Sequence, residues 1–231
     1  MRRSVVATWS PRRSLCLGAS LLVAFVVLTL ATQPGGSPFL DSHISSLAHH
    51  LAAGQRYRLF SPIEPFGSPT ASVALTAVVG VGVARAKGVV AGLAVIAAMG
   101  VMTAVEGLLR IRVGAIPWND LAHFLTQPRG HHLVHSTYPS GHTARLGLLS
   151  GIALGCLLPG RWRIAGVFGA GLITAWIAIQ RVAANQHTGT DVVGGALLGW
   201  GTAFVYGWLV ATPVLRRGRW LPRRRAAPAD S

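Results

Sequence analysis

The chain has 231 residues, of which 51% are hydrophobic and only 12% charged, with a formal net charge of +15 and a mean hydropathy of +0.49. A soluble domain carries about 25% charged residues, so an ordinary water-soluble globule is excluded. Disorder is excluded as well, because a chain this apolar cannot stay solvated as a coil. The cations fall between apolar runs rather than along one polar face, which argues against a nucleic-acid partner. Cys16 and Cys156 lie inside apolar runs and indicate no disulfide framework.

A bilayer core of about 30 Å asks for roughly 20 apolar residues per helix. Residues 14–32, 88–109 and 192–212 meet that length, and 70–84, 143–158 and 164–179 approach it when extended by a turn. The expected fold is all-α: a single domain over 1–231, a polytopic six-helix bundle with a short basic N-terminus and a basic tail at 214–231. Hydrocarbon leaves the backbone no partner but itself, which makes such a bundle the economical solution. Arg12-Arg13-Ser14-Leu15 before the first run also has the form of a twin-arginine signal. No clean small-x-small site follows, so the run is read as a retained span.

Orientation follows from the cations. With a cytoplasmic N-terminus, the inside segments hold Arg2, Arg3, Arg12, Arg13, Arg85, Lys87, Arg161, Arg163 and the six arginines from Arg216 to Arg225, fourteen of the 21 Lys and Arg. Both termini are then cytoplasmic, and all nine histidines fall outside. The basic tail reads as a contact with anionic lipid rather than nucleic acid. Gly147, Gly151 and Gly155, and Gly195 with Gly199, recur at spacing four and allow close helix approach.

Of the outer loops, residues 33–69 contain Ile44, Leu47 and Leu51 at helical spacing within 41–59. Either an interfacial amphipathic helix or a short helix packed over the bundle satisfies that pattern. In the second loop, His131, His132 and His135 with His123 and Asp120 have spacings found in metal sites, but a loop alone supplies no tetrahedral geometry. Headgroup binding or local proton tuning fits them better, and neither a metal nor another cofactor is expected.

Two constellations carry the chemistry. Tyr138-Pro139-Ser140-Gly141-His142-Thr143 directly precedes the fourth span. Serine can cap the helix, and the Gly141 and His142 amides would open its N-terminus toward an anion. In the third loop, Arg181, His187 and Asp191 follow one another. If the last helix starts near here, His187 and Asp191 share one of its faces at i and i+4. A carboxylate on one ring nitrogen leaves the other with a free lone pair, suited to a nucleophile or base. The guanidinium of Arg181 suits phosphate oxygens. Phosphoryl transfer through a phosphohistidine needs such a set: a neutral nucleophile, a protonated acid and cationic donors.

These residues resemble the type-2 phosphatidic acid phosphatases, or lipid phosphate phosphatases, which share a core with vanadium haloperoxidases. The second motif of that family, Pro-Ser-Gly-His, is matched by Pro139 to His142. The third, Ser-Arg-x5-His-x3-Asp, is matched by Arg181, His187 and Asp191, with Gln180 in place of the serine. The resemblance implies that His187 attacks phosphorus, Asp191 orients it, and His142 protonates the leaving oxygen. Ser140, the Gly141 amide and Arg181 would hold the phosphate, with no metal. The first motif, Lys-x6-Arg-Pro, is degenerate: the stretch from Val105 to Val113 has no lysine and no Arg-Pro pair. Arg110 or Arg112 could supply the missing cation, with Arg129 and Arg145 behind them, and Glu106 can pair with Arg110 across one turn.

The implied function is hydrolysis of a phosphate monoester or pyrophosphate on a membrane lipid, at the extracytoplasmic face. The bilayer and its lipid phosphate would be the partners; the sequence says nothing of oligomeric state. A lipid phosphotransferase, passing the phosphoryl group to an acceptor other than water, is one alternative; a weakened homologue that binds lipid phosphates is another, which the degenerate first motif leaves open.

Overall fold

The computed structural model describes residues 10–32, 37–112, 138–158 and 160–212, with only the backbone at 55, 111, 112 and 161. The described residues form α1 (Pro11–Thr32), α2 (Pro38–Leu51), α3 (Tyr57–Phe60), α4 (Pro69–Lys87), α5 (Val89–Arg112), α6 (Gly141–Leu157), α7 (Arg163–Ala183) and α8 (Gly189–Ala211), with 3-10 turns between several of them. No strand occurs among the described residues. The all-α membrane bundle expected from the sequence is the observed architecture.

Five helices, α1, α4, α5, α7 and α8, are long and apolar enough to cross a membrane. The remaining candidate, α6, has 17 residues, about 25 Å at 1.5 Å per residue, the lower limit for a span. The sequence after it continues into Pro159, which cannot extend a helix. α6 is also the most enclosed helix, with every residue from Gly141 to Leu149 buried. It packs against α8, α7, α4 and α5, while α1 lies along α8. A central cluster including Phe25, Val83, Met102, Leu148 and Tyr206 fills the space between them.

Close approach of α6 and α8 explains one glycine stripe. A side-chain carbon at Gly195 or Gly199 would collide with the carbonyl oxygens of Ser140 or Ala144, so only glycine lets the two backbones touch. The other stripe divides. Gly147 and Gly151 face Trp200 and Ala203, whereas no described residue would come within 4 Å of a side-chain carbon at Gly155.

The helix read over 41–59 starts earlier and ends sooner, at Leu51. The chain turns at Gly54, where φ is +58°, and Pro62 and Pro65 follow in a 3-10 segment. α2 packs over the bundle: Ala48 is buried with Val182 and Val192, and Ile44 packs against them. Leu47, expected on the same apolar face, is exposed. Asp41 accepts a hydrogen bond from the Thr190 amide at 2.7 Å, and the Thr190 hydroxyl accepts one from the Ser37 amide at 2.9 Å. A carboxylate on the first turn of α8 satisfies an orphan donor and complements the positive end of the helix dipole. That is the local reason α2 docks here.

Candidate active site

The turn that opens α6 is held from three sides. Tyr138 stacks on Phe25 with ring centroids 6.1 Å apart, its hydroxyl lies 2.8 Å from that of Thr29, and its ring presses on Gly194, where a larger residue would clash. Arg110 donates to the Pro139 carbonyl at 3.2 Å. The Ser140 amide donates to the Asp191 carbonyl at 2.9 Å. Helices α1, α5 and α8 therefore fix one short segment. Ser140 occupies the N-cap position, but its hydroxyl caps no backbone amide; it accepts from the Thr143 hydroxyl at 3.1 Å instead. The expected serine cap is replaced by a buried hydroxyl pair.

The loop carrying His187 is shaped by the end of α7. Asn185 adopts φ +54°, a left-handed conformation that asparagine tolerates. The Gln186 amide bonds the Arg181 carbonyl at 3.1 Å and the Asn185 amide bonds that of Val182 at 2.9 Å, the paired bonds of a Schellman ending. The chain then re-enters a helix through a capping box, with Thr188 and Asp191 exchanging side-chain and backbone bonds. His187 thus precedes the cap rather than sharing a helical face with Asp191, a correction to the sequence reading. The two still meet, His187 Nδ1 lying 3.2 Å from Asp191 Oδ2, because the carboxylate that caps the helix at 3.1 Å from the Thr188 amide also reaches back to the ring. Since the carboxylate accepts, Nδ1 carries the proton and Nε2 keeps its lone pair.

Cations and acids surround this pair. Arg181 donates to Glu64 at 2.9 Å, and Gln180 donates to Glu64 and to the Tyr57 hydroxyl, each at 3.2 Å. On the other side, Glu106 meets Arg110 at 2.6 Å and Arg145 at 2.7 Å, with all three side chains buried. Arg145 also reaches the Gly67 carbonyl at 3.5 Å. His142 lies against Gly67, which has no room for a side chain. Gly141 abuts the Glu106 carboxylate.

Burial of the His187 ring pushes its pKa below the ordinary value. Asp191 opposes that shift through its hydrogen bond and charge, while Arg110 and Arg181 add to it. The ring is neutral at neutral pH, lies in the field of two arginines and is oriented by a carboxylate. That is the state in which an imidazole can attack an electrophile.

Comparison with known proteins fits these features. The PAP2 superfamily matches residues 70–214, well over half of the chain. The chain belongs to the PAP2 superfamily. The solved structure of a transmembrane PAP2-type phosphatidylglycerolphosphate phosphatase from Bacillus subtilis superposes with a TM-score of 0.64 at 21% identity, covering 82% of this chain and 94% of that one. At that identity the likeness speaks for the fold. No match was found among curated proteins.

Within this PAP2 chain, the structure brings Ser140, Gly141, His142, Arg181, His187, Asp191 and Arg110 to one end of the bundle. Arg110 joins the electrostatic surroundings of His187, and its pairing with Glu106 across one turn is present as expected. The side chain of Arg112, together with Arg129, His123, His131, His132, His135 and Asp120, lies outside the described residues. Among the described residues, no group of three His, Cys, Asp or Glu is placed to hold a metal ion. Two site residues escaped sequence reasoning and a third was placed behind others. Glu64 and Gly67 sit in a loop whose only visible signal was its prolines, and Arg145, ranked behind other cations, proves to be locked to Glu106.

Proposed function

We propose that this PAP2 protein is a lipid phosphate phosphatase that hydrolyses a phosphate monoester or pyrophosphate of a membrane lipid through a phosphohistidine. His187 Nε2 donates its lone pair to phosphorus as the bond from phosphorus to the lipid oxygen breaks. His142, protonated, gives its proton to that oxygen, so the lipid leaves as an alcohol or as a shorter phosphate. His142 then takes a proton from water, the hydroxide attacks the phosphohistidine, the P–N bond breaks, and inorganic phosphate departs. Arg181, the Gly141 amide, Ser140 and Arg110 supply donors for the equatorial oxygens, where charge builds up.

The observation that carries this reading is the 2.9 Å hydrogen bond from the Ser140 amide to the Asp191 carbonyl. It ties the turn bearing His142 to the turn bearing His187, so neither can drift from the other without breaking backbone contact. The positive-inside bias supports an extracytoplasmic site with both termini cytoplasmic. The phosphatidylglycerolphosphate phosphatase of like fold supports a lipid substrate.

A second reading has its own support. Carboxylates already pair with two of the cations, Glu64 with Arg181 and Glu106 with Arg110, as suits a weakened homologue that binds lipid phosphate without turnover. Phosphate release from a panel of lipid monophosphates and pyrophosphates, in chelator, separates the two. Wild type should release phosphate, and His187→Ala should lower the rate roughly ten-thousand-fold. Equal release by both removes the nucleophile; binding without release by wild type selects the second reading.

A further inference from the structure

At the opposite end of the bundle from His187, a cavity of about 430 Å³ opens between α1, α4, α6, α7 and α8. That volume lies within the range of about 300–1,000 Å³ typical of small-molecule sites. Its floor is apolar and built for something flat or flexible, with Gly151 and Gly155 on α6 facing Trp200 and Phe204 on α8. Among the described residues nothing packs against Gly155, so that position serves no helix contact. Trp200 is held in place, its indole N–H donating to Thr174 at 3.1 Å.

The cavity also includes Lys87 and Arg163, each at the end of its helix. Both line the same cavity as Cys156, so the two charges share one space. Both are half-buried, unlike the exposed Arg12, Arg13 and Arg85 nearby in the chain's topology. Among the described residues neither has an ion-pair partner, and none of them offers a hydrogen-bond acceptor to the buried Nε of Arg163. All four described carboxylates, Asp41, Glu64, Glu106 and Asp191, belong to the other end. A buried donor with no acceptor, beside a second cation, asks for an anion.

We propose that this cavity is a binding site for an anionic phospholipid of the leaflet opposite the candidate active site, its phosphate between Lys87 and Arg163 and an acyl chain along Gly151, Gly155, Trp200 and Phe204. The apolar floor excludes a free phosphate as the sole occupant, since it would leave that surface uncovered. The chain's own tail is disfavoured by charge, because six arginines and one acid follow residue 212. A lipid supplies both parts: a negative head within hydrogen-bond reach of the cations and a tail that fits between helices.

The test uses the full-length protein in zwitterionic detergent, with phosphatidylglycerol, phosphatidylcholine or inorganic phosphate added, read by native mass spectrometry and thermal midpoint. Phosphatidylglycerol is a diester with no terminal phosphate, and saturating vanadate in a parallel arm blocks the other site. Wild type should retain one more phosphatidylglycerol than Lys87→Gln/Arg163→Gln, and each lost cation should weaken its retention about fivefold. Gly155→Trp, which fills the groove while keeping both charges, should lose the lipid too. Equal protection by phosphatidylcholine or by inorganic phosphate would overturn the proposal. So would unchanged retention in Gly155→Trp with native helix content, or a lipid that binds only after truncation at Thr212. If the tryptophan variant does not fold, the charge variant alone decides.

Discussion

At the end of the bundle where α4, α6 and α8 begin, each buried arginine meets a carboxylate: Arg181 with Glu64, and Arg110 and Arg145 with Glu106. At the other end, Arg12, Arg13, Arg85, Lys87 and Arg163 have no carboxylate within ion-pair distance among the described residues. The same residue type therefore does different work according to what surrounds it. Paired and buried, an arginine is fixed in direction and can present a donor to a reacting group without reorganising. Unpaired near the end of a span, a cation can draw anionic lipid and bias orientation. Net charge alone conceals the distinction.

The comparison is broken most severely at Glu106. Replacing it by glutamine leaves Arg110 and Arg145 buried beside each other without the carboxylate they share, an expected loss of about 3–5 kcal/mol in stability. Lys87→Gln at the far end should change stability by no more than about 0.5 kcal/mol in lipid-free detergent. Denaturation of the two variants side by side checks this, and equal effects would mean the ends do not differ as described.

Acid sharpens the same contrast through His187. Its folded pKa lies below its unfolded value of about 6.5, because burial disfavours the imidazolium. Below pH 6.5 the unfolded chain takes up a proton that the folded chain refuses. Stability should therefore decline as pH falls from about 6.5 to the depressed folded value, by up to about 1.4 kcal/mol per pH unit. This contribution should vanish in His187→Ala. Turnover should persist below pH 6.5 for as long as the ring stays neutral.

A smaller effect is expected at Glu64, whose carboxylate pairs with Arg181 and, under the proposed function, would compete with substrate phosphate for it. Glu64 is 40% exposed, so the pair contributes little to stability. Glu64→Gln should lower KM, and strengthen vanadate inhibition, by about fivefold with kcat nearly unchanged. A raised KM would show instead that Glu64 positions Arg181 for binding.

Much of this architecture was legible in the sequence, because lipid imposes one length and one composition on a span. The two motif turns were legible as places where helices begin, but not in their caps: the Ser140 hydroxyl caps no amide, and Thr188 rather than a residue before His187 opens the last helix. The threonine and aspartate three apart at 188 and 191 were open to a capping-box reading that would have placed His187 before the helix rather than on it. What stayed hidden joins residues far apart in the chain: Glu64 with Arg181, Gly67 with His142, Glu106 with Arg145. No periodicity encodes such pairs. The spacing of Ile44, Leu47 and Leu51 indicated a helix, but which face it buries was decided by Asp41 reaching the start of α8.

The central claim is that His187 carries the phosphoryl group. Rapid base quench of His142→Ala during turnover of a lipid pyrophosphate, whose leaving group needs little protonation, should trap a base-stable, acid-labile phosphate that peptide mass spectrometry assigns to His187, and none in His142→Ala/His187→Ala. Phosphate release at the wild-type rate by a His187→Ala protein, or a label on any other residue, would contradict it.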